Sequence, residues 1–169
     1  MIAALVIIGL MVVQRLGEVI YSRHTTRALL AKGAVEAGQA HYPLFVVLHT
    51  AWLVAIVLML PATPSIYWPG VALLVVLQGL RLWVIVTLGP YWTTRILSLP
   101  GAPLVRSGPY RLLRHPNYAV VVVEIAVLPL VFGQVGVAIV FSVLNAALLW
   151  WRIRVEDEAL RTRRELPGG

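Results

Sequence analysis

Apolar residues in this chain come in long blocks, and the polar residues gather between them. Several blocks approach the roughly 20 residues that a helix needs to cross a hydrocarbon core. The pattern predicts spans over about 2–20, 41–60, 70–88, 118–132 and 135–151. The last two are short for a full crossing and are separated only by Gly133-Gln134, so a tight hairpin of tilted or partly embedded helices is expected. Pro129 is expected to kink the first of the pair. Polar connectors occupy 21–40 and 89–117, and a charged helical tail runs over 152–169. Within the first connector, Thr25 to Lys32 is expected to form a short interfacial helix ended by Gly33. The turn at 61–69 is uncharged and proline-rich, with Tyr67 and Trp68 as interfacial anchors. The expected fold is one all-α integral membrane domain over 1–169, with about five transmembrane helices, a cytoplasmic connector and a C-terminal helix.

Composition agrees with that pattern. The chain has 169 residues, is 60% hydrophobic and has a mean hydropathy of +0.86, well above an ordinary soluble domain. The absence of cysteine excludes disulfides, thiolate metal sites and cysteine nucleophiles, and no metal is implied. The N-terminus is apolar from Met1, with neither a basic leader nor a small-residue cleavage site, and reads as a retained span. The sequence leaves the oligomeric state open.

Charge then sets the topology. The formal charge is +7, but the basic residues lie in connectors beside apolar blocks. That placement suits the positive-inside rule and anionic lipid headgroups, and argues against nucleic acid. Arg23, Arg27 and Lys32 fall in the first connector, Arg95, Arg106, Arg111 and Arg114 in the second, and the tail is rich in arginine. The turns at 61–69 and 133–134 carry no basic residue. Five spans, with the N-terminus outside and the C-terminus cytoplasmic, fit each loop.

Polar residues inside the spans are the next candidates, because lipid penalises them. Gln14, Arg15 and Glu18 share one helix face at spacings of three and four. They form either a structural cluster or part of a substrate site. His49 lies within the second span, as a packing residue or a functional one. Arg81 is expected to face the bundle or snorkel, and Glu124 to face inward.

The stretch from Leu104 to Tyr118 concentrates the chemistry. Arg106, Arg111, Arg114 and His115 crowd around Gly108-Pro109 and His115-Pro116. The prolines fix φ and bias the preceding residues away from helix. A shaped loop with one helical turn between the prolines is predicted, with Pro116 opening the next helix. Beyond the hairpin, Arg152 and Glu156 lie four apart on one helix face.

Together, Gly108-Pro109-Tyr110, Arg114-His115-Pro116-Asn117-Tyr118, an apolar hairpin and Arg152-Ile153-Arg154-Val155-Glu156-Asp157-Glu158 resemble the isoprenylcysteine carboxyl methyltransferase family. Gly79-Leu80-Arg81-Leu82-Trp83 and Gly89-Pro90-Tyr91-Trp92 add a weaker match. The resemblance implies a membrane enzyme that transfers methyl from S-adenosylmethionine to a lipidic acceptor. It implies cofactor contacts from Pro103, Leu104, Val105, Tyr110, His115, Pro116, Asn117, Tyr118 and Glu156, with Arg95 contributing. It places Arg152 on the substrate side and makes Arg152 and Glu156 the catalytic pair. His115 or Arg114 could hold the cofactor's carboxylate. A neutral hydroxyl acceptor would need a base, for which Glu156, Glu18 and His49 are candidates.

Asp157 stands where the family has glutamate. The first half, with Gln14-Arg15-Leu16-Gly17-Glu18 and His49-Thr50-Ala51, is similar to a bacterial branch linked to methylating long-alkyl resorcinols and pyrones. On that reading Gln14, Arg15, Glu18 and Glu124 frame the head of a lipophilic acceptor drawn from the membrane lipid, with its tail between the spans and His49 a further substrate-side candidate. Two other classes compete: a lipid double-bond reductase using NADPH, and a non-catalytic membrane scaffold or transport subunit.

Overall fold

The computed structural model describes residues 1–161. It is mostly helical, with five α-helices: α1 (Ile2–Ala31), α2 (Tyr42–Leu58), α3 (Trp68–Leu88), α4 (Pro116–Val131) and α5 (Val135–Ala159). Three of them, α1, α3 and α5, are long and apolar enough to cross a membrane, while α2 and α4 are shorter apolar helices. Large hydrophobic side chains such as Leu10, Val13, Val75 and Val86 are exposed on the outer faces, as expected of surfaces that meet lipid.

Two predicted boundaries move. The span at 2–20 and the short helix at 25–32 are one continuous helix, because no glycine or proline interrupts the chain between Gly17 and Gly33. At about 1.5 Å per residue such a helix outruns a hydrocarbon core of about 30 Å, so its last turns project as a platform. Gly33 (φ +88°) ends it, with the Gly33 and Ala34 amides returning to the Leu30 and Leu29 carbonyls at 3.0 Å. The fifth span and the charged segment after Arg152 likewise form one helix, α5. Residues 162–169, the end of the predicted tail, lie outside the described residues. Pro129 sits within α4, two residues before its end.

The fold is not purely helical. Strands β1 (Val35–Ala37) and β2 (Ile96–Ser98) pair antiparallel, with Glu36 opposite Leu97. This pairing ties the two polar connectors to each other. More bonds fasten the second connector to the α1 platform. Thr25 Oγ1 donates to the Trp92 carbonyl at 2.6 Å, the Thr94 amide donates to Ser22 Oγ at 2.8 Å, and the Tyr21 hydroxyl donates to the Gly89 carbonyl at 2.9 Å. The uncharged turns meet at the opposite end, where the Tyr67 amide donates to the Val131 carbonyl and Gln134 Nε2 to the Ile56 carbonyl, both at 2.9 Å. The core between the ends is built from Ile8, Met11, Trp52, Ile56, Leu74, Ile125 and Leu128.

Candidate functional site

A short 3-10 turn at Gly108–Arg111 and the start of α4 at Pro116 shape the end of the second connector, as the proline spacing predicts. Gly108 has φ +54°, and a Cβ there would lie 2.6 Å from Thr87 Oγ1 and 3.2 Å from Trp83 Nε1. Only glycine lets the connector pass this close to α3. His115 then caps α4, and its ring stacks on Tyr118 with centroids 5.3 Å apart.

Tyr118 meets α5. Its hydroxyl donates to the Glu156 carboxylate and accepts from Arg152 Nε at 2.8 Å. Arg152 Nη2 also donates to the Thr94 carbonyl at 2.8 Å, and its guanidinium lies 5.1 Å from the Phe45 ring centre. His115 Nδ1 is 3.9 Å from Glu156, and Nε2 is 3.3 Å from Asp157 Oδ1. That second approach is misaligned for a hydrogen bond, since Nε2 has no such partner. One connector, α4, α5 and Phe45 in the first turn of α2 thus converge on a single cluster. Burial and then the nearby Glu156 charge push the Tyr110 phenol above its usual range.

The cluster borders a cavity of about 1220 Å³, larger than the roughly 300–1,000 Å³ typical of a small-molecule pocket. Leu104, Val105, Tyr110, Asn117 and Glu156 line its end beneath the connector, together with Arg106, Arg111 and Arg114. Val12, Leu16, Val46, Leu53 and Val54 line its other end, between α1 and α2. Arg15, Glu18, His49 and Arg81 lie along the cavity as well. Asn117 Oδ1 is buried without a hydrogen-bond partner.

The predicted residues separate into those that line this cavity and those that do not. Arg95 lines it, but its guanidinium pairs with Glu36 at 2.9 Å and lies over Tyr42. Pro103 and Pro116 are not among the lining residues and act through the backbone they shape. Gln14 and Glu124 also fall outside this lining. Glu124 is wholly buried, accepting from Gln78 at 3.0 Å, from Arg81 at 3.3 Å and from Arg15. Glu18 accepts from Arg81 Nε and Nη2 and from Arg15, and Gln14 donates to it at 3.0 Å. Two arginines and two glutamates therefore neutralise one another across α1, α3 and α4, which is how buried charge is tolerated. Arg81 faces the bundle.

Sequence reasoning passed over Thr94 and Phe45. Thr94 joins α1, α2 and α5 through Ser22, Tyr42 and Arg152, and Phe45 lies under Arg152. Neither carries a signal beyond its place in an aromatic or hydroxyl-rich stretch.

The family model for isoprenylcysteine carboxyl methyltransferases matches residues 70–162. The chain belongs to the isoprenylcysteine carboxyl methyltransferase family. It is also 40% identical over 159 residues to the uncharacterized protein YpbQ of Bacillus subtilis (strain 168), covering 92% of this chain and 95% of that one. An uncharacterized protein of Haemophilus influenzae (strain ATCC 51907 / DSM 11121 / KW20 / Rd) is 30% identical over 142 residues, covering 79% and 81%. No solved structure matches. Membership in the isoprenylcysteine carboxyl methyltransferase family implies a membrane methyltransferase, and members generally use S-adenosylmethionine. The matched segment holds Tyr110, His115, Tyr118, Arg152 and Glu156, whereas α1 and α2, with Arg15, Glu18 and His49, precede it.

Proposed function

We propose that the protein transfers a methyl group from S-adenosylmethionine to an oxygen of a lipophilic acceptor at the cytoplasmic face of a bacterial inner membrane. All five helices cross or enter the bilayer, with the N-terminus outside and the connector end inside. The basic connectors gather at one end of the bundle and the uncharged turns at the other, which supports this orientation.

The observation that carries the reading is a single cavity with two chemistries. Its connector end offers carboxylate, amide oxygen, guanidinium and phenol groups, and its membrane end is aliphatic. The cofactor is a zwitterion with an adenine ring and a sulfonium, so it needs both charge signs and a flat apolar slot. The unpartnered Asn117 Oδ1 and the Glu156 carboxylate suit its ammonium or ribose hydroxyls. Arg114 or His115 suits its carboxylate, and Leu104, Val105, Tyr110 and Tyr118 suit the adenine. These residues fit the group.

When bound, the cofactor supplies an electrophilic methyl carbon. The protein then has to orient an acceptor oxygen toward that carbon and exclude water. Arg152, steadied by Tyr118 and the Thr94 carbonyl, holds a negative acceptor oxygen. The α1–α2 walls take the acceptor's tail from the bilayer, so head and donor meet where the two chemistries join.

Purified protein in detergent is expected to melt at a higher temperature with adenosylhomocysteine, by mass action. It is also expected to transfer an isotopically labelled methyl group into a lipid of the source cells. Stabilisation by NADPH without any effect of adenosylhomocysteine would instead support a lipid reductase. No effect of either ligand would support a non-catalytic membrane protein.

A further inference from the structure

We infer that His49 is the general base of this site, taking the proton of a hydroxyl acceptor through Nε2. The inference rests on the methyl-transfer reading above and assigns it a residue. His49 lies one helical turn beyond Phe45, the residue whose ring sits under Arg152, with ring centroids 6.4 Å apart. It lines the cavity where the aliphatic walls begin.

Its tautomer follows from one bond. Nδ1 lies 2.8 Å from the Phe45 carbonyl. A carbonyl only accepts, so Nδ1 carries the hydrogen and Nε2 carries the lone pair. Among the described residues no other hydrogen-bond partner touches the ring, and Nε2 is not fully buried. Trp52 packs edge-on against the ring at 6.4 Å and fixes its direction. The result is an aimed acceptor at the junction where an acceptor head would sit.

The competing carboxylates are engaged. Glu18 is held by Arg81 and Arg15, and Glu156 accepts from Tyr118. A proton taken by either would have to displace donors already bound to it. The charged groups that face His49 are Arg15, Arg81 and Glu124. Arg15 and Arg81 also line the cavity, paired with Glu18 and Glu124.

The step balances without a further reactant. Nε2 takes the O–H proton of the acceptor. The oxygen's electron pair forms the new bond to the methyl carbon, and the C–S pair remains on sulfur. The imidazolium returns its proton to water through the connector end. A carboxylate acceptor, already ionised, would not need this residue. His49 therefore assigns the site to hydroxyl acceptors.

Two measurements test this on the full-length protein in detergent micelles, with His49→Ala and His49→Gln as variants. The first uses a long-chain alkyl nitrophenol, whose phenolate absorbs in the visible, bound together with adenosylhomocysteine so that no turnover occurs. The half-ionisation pH of the bound probe is expected to fall in His49→Ala, and less in His49→Gln, because the neutral Nε2 accepts from the phenol O–H and holds the probe in its protonated form. Adenosylhomocysteine affinity should be unchanged, which establishes that they fold. The second follows labelled methyl transfer to an alkylresorcinol, expected to fall by about 10²–10⁴ in kcat with KM little altered. Variants that ionise the probe and turn over like the parent would overturn His49 as the base while leaving the methyltransferase intact. A parent protein that binds no adenosylhomocysteine and labels no lipid would overturn the function itself, and this inference with it.

Discussion

Tyr118 and Glu156, 38 residues apart, are joined by a hydrogen bond from phenol to carboxylate, and Arg152 donates to the same phenol oxygen. One hydroxyl thus fixes the distance between a cation and an anion on successive turns of α5. Without it, the two side chains four residues apart would pair directly or drift into solvent.

This arrangement separates two roles. Glu156→Gln removes the acceptor charge and is expected to weaken adenosylhomocysteine binding about tenfold or more, in line with a hydrogen bond to a charged group. Arg152→Ala is expected to lower kcat by about 10²-fold with a smaller effect on that binding. Calorimetric titration and single-turnover assays would separate the two. Equal losses of affinity and rate in both variants would mean that the roles are not divided.

The buried tetrad offers a stability test. Arg81→Leu leaves Glu18 and Glu124 sharing only Arg15, Gln14 and Gln78. It is expected to destabilise the protein by about 3–5 kcal/mol, the usual result of stranding a buried charge. Adding Glu18→Leu restores neutrality, so the double variant should melt above Arg81→Leu alone. A double-mutant cycle of melting temperatures measures that coupling.

Gly108→Ala combines a left-handed backbone with a Cβ placed against Thr87 and Trp83. A loss of about 1–3 kcal/mol is expected from overpacking. Trimming the obstacle with Thr87→Ala should recover part of it.

Tyr110 gives a pH signature. Its folded phenol stays protonated to higher pH than an unfolded one, so the folded state holds more protons above about pH 10, where an unfolded tyrosine ionises. Its contribution is full below that pH and is lost as pH rises toward the folded value. Tyr110→Phe should flatten this alkaline limb in melting curves and leave the neutral range unchanged.

The apolar blocks located all five helices, because hydropathy needs no tertiary information. The prolines similarly fixed the 3-10 turn and the start of α4. The pattern could not reveal that α1 runs through the first connector, since Arg23, His24 and Arg27 look like loop residues on charge but are compatible with helix. The β1–β2 pair was invisible because three-residue strands leave no alternating run. Among the candidate residues, Tyr118, Arg152 and Glu156 were legible through their motif. That Glu18 and Glu124 share the same two arginines was not, because Arg15, Arg81 and Glu124 come together from three different helices.

The tetrad bolts α1 to α3 and α4. The aliphatic walls at Leu16, Val46 and Val54 supply none of the bonds of that charged lock, so they can change size without removing one. On the proposed reading, acceptor range is then a trait separable from donor binding. Exchanging those wall residues for smaller or larger ones should retune the preferred tail length while the donor-holding end keeps its shape.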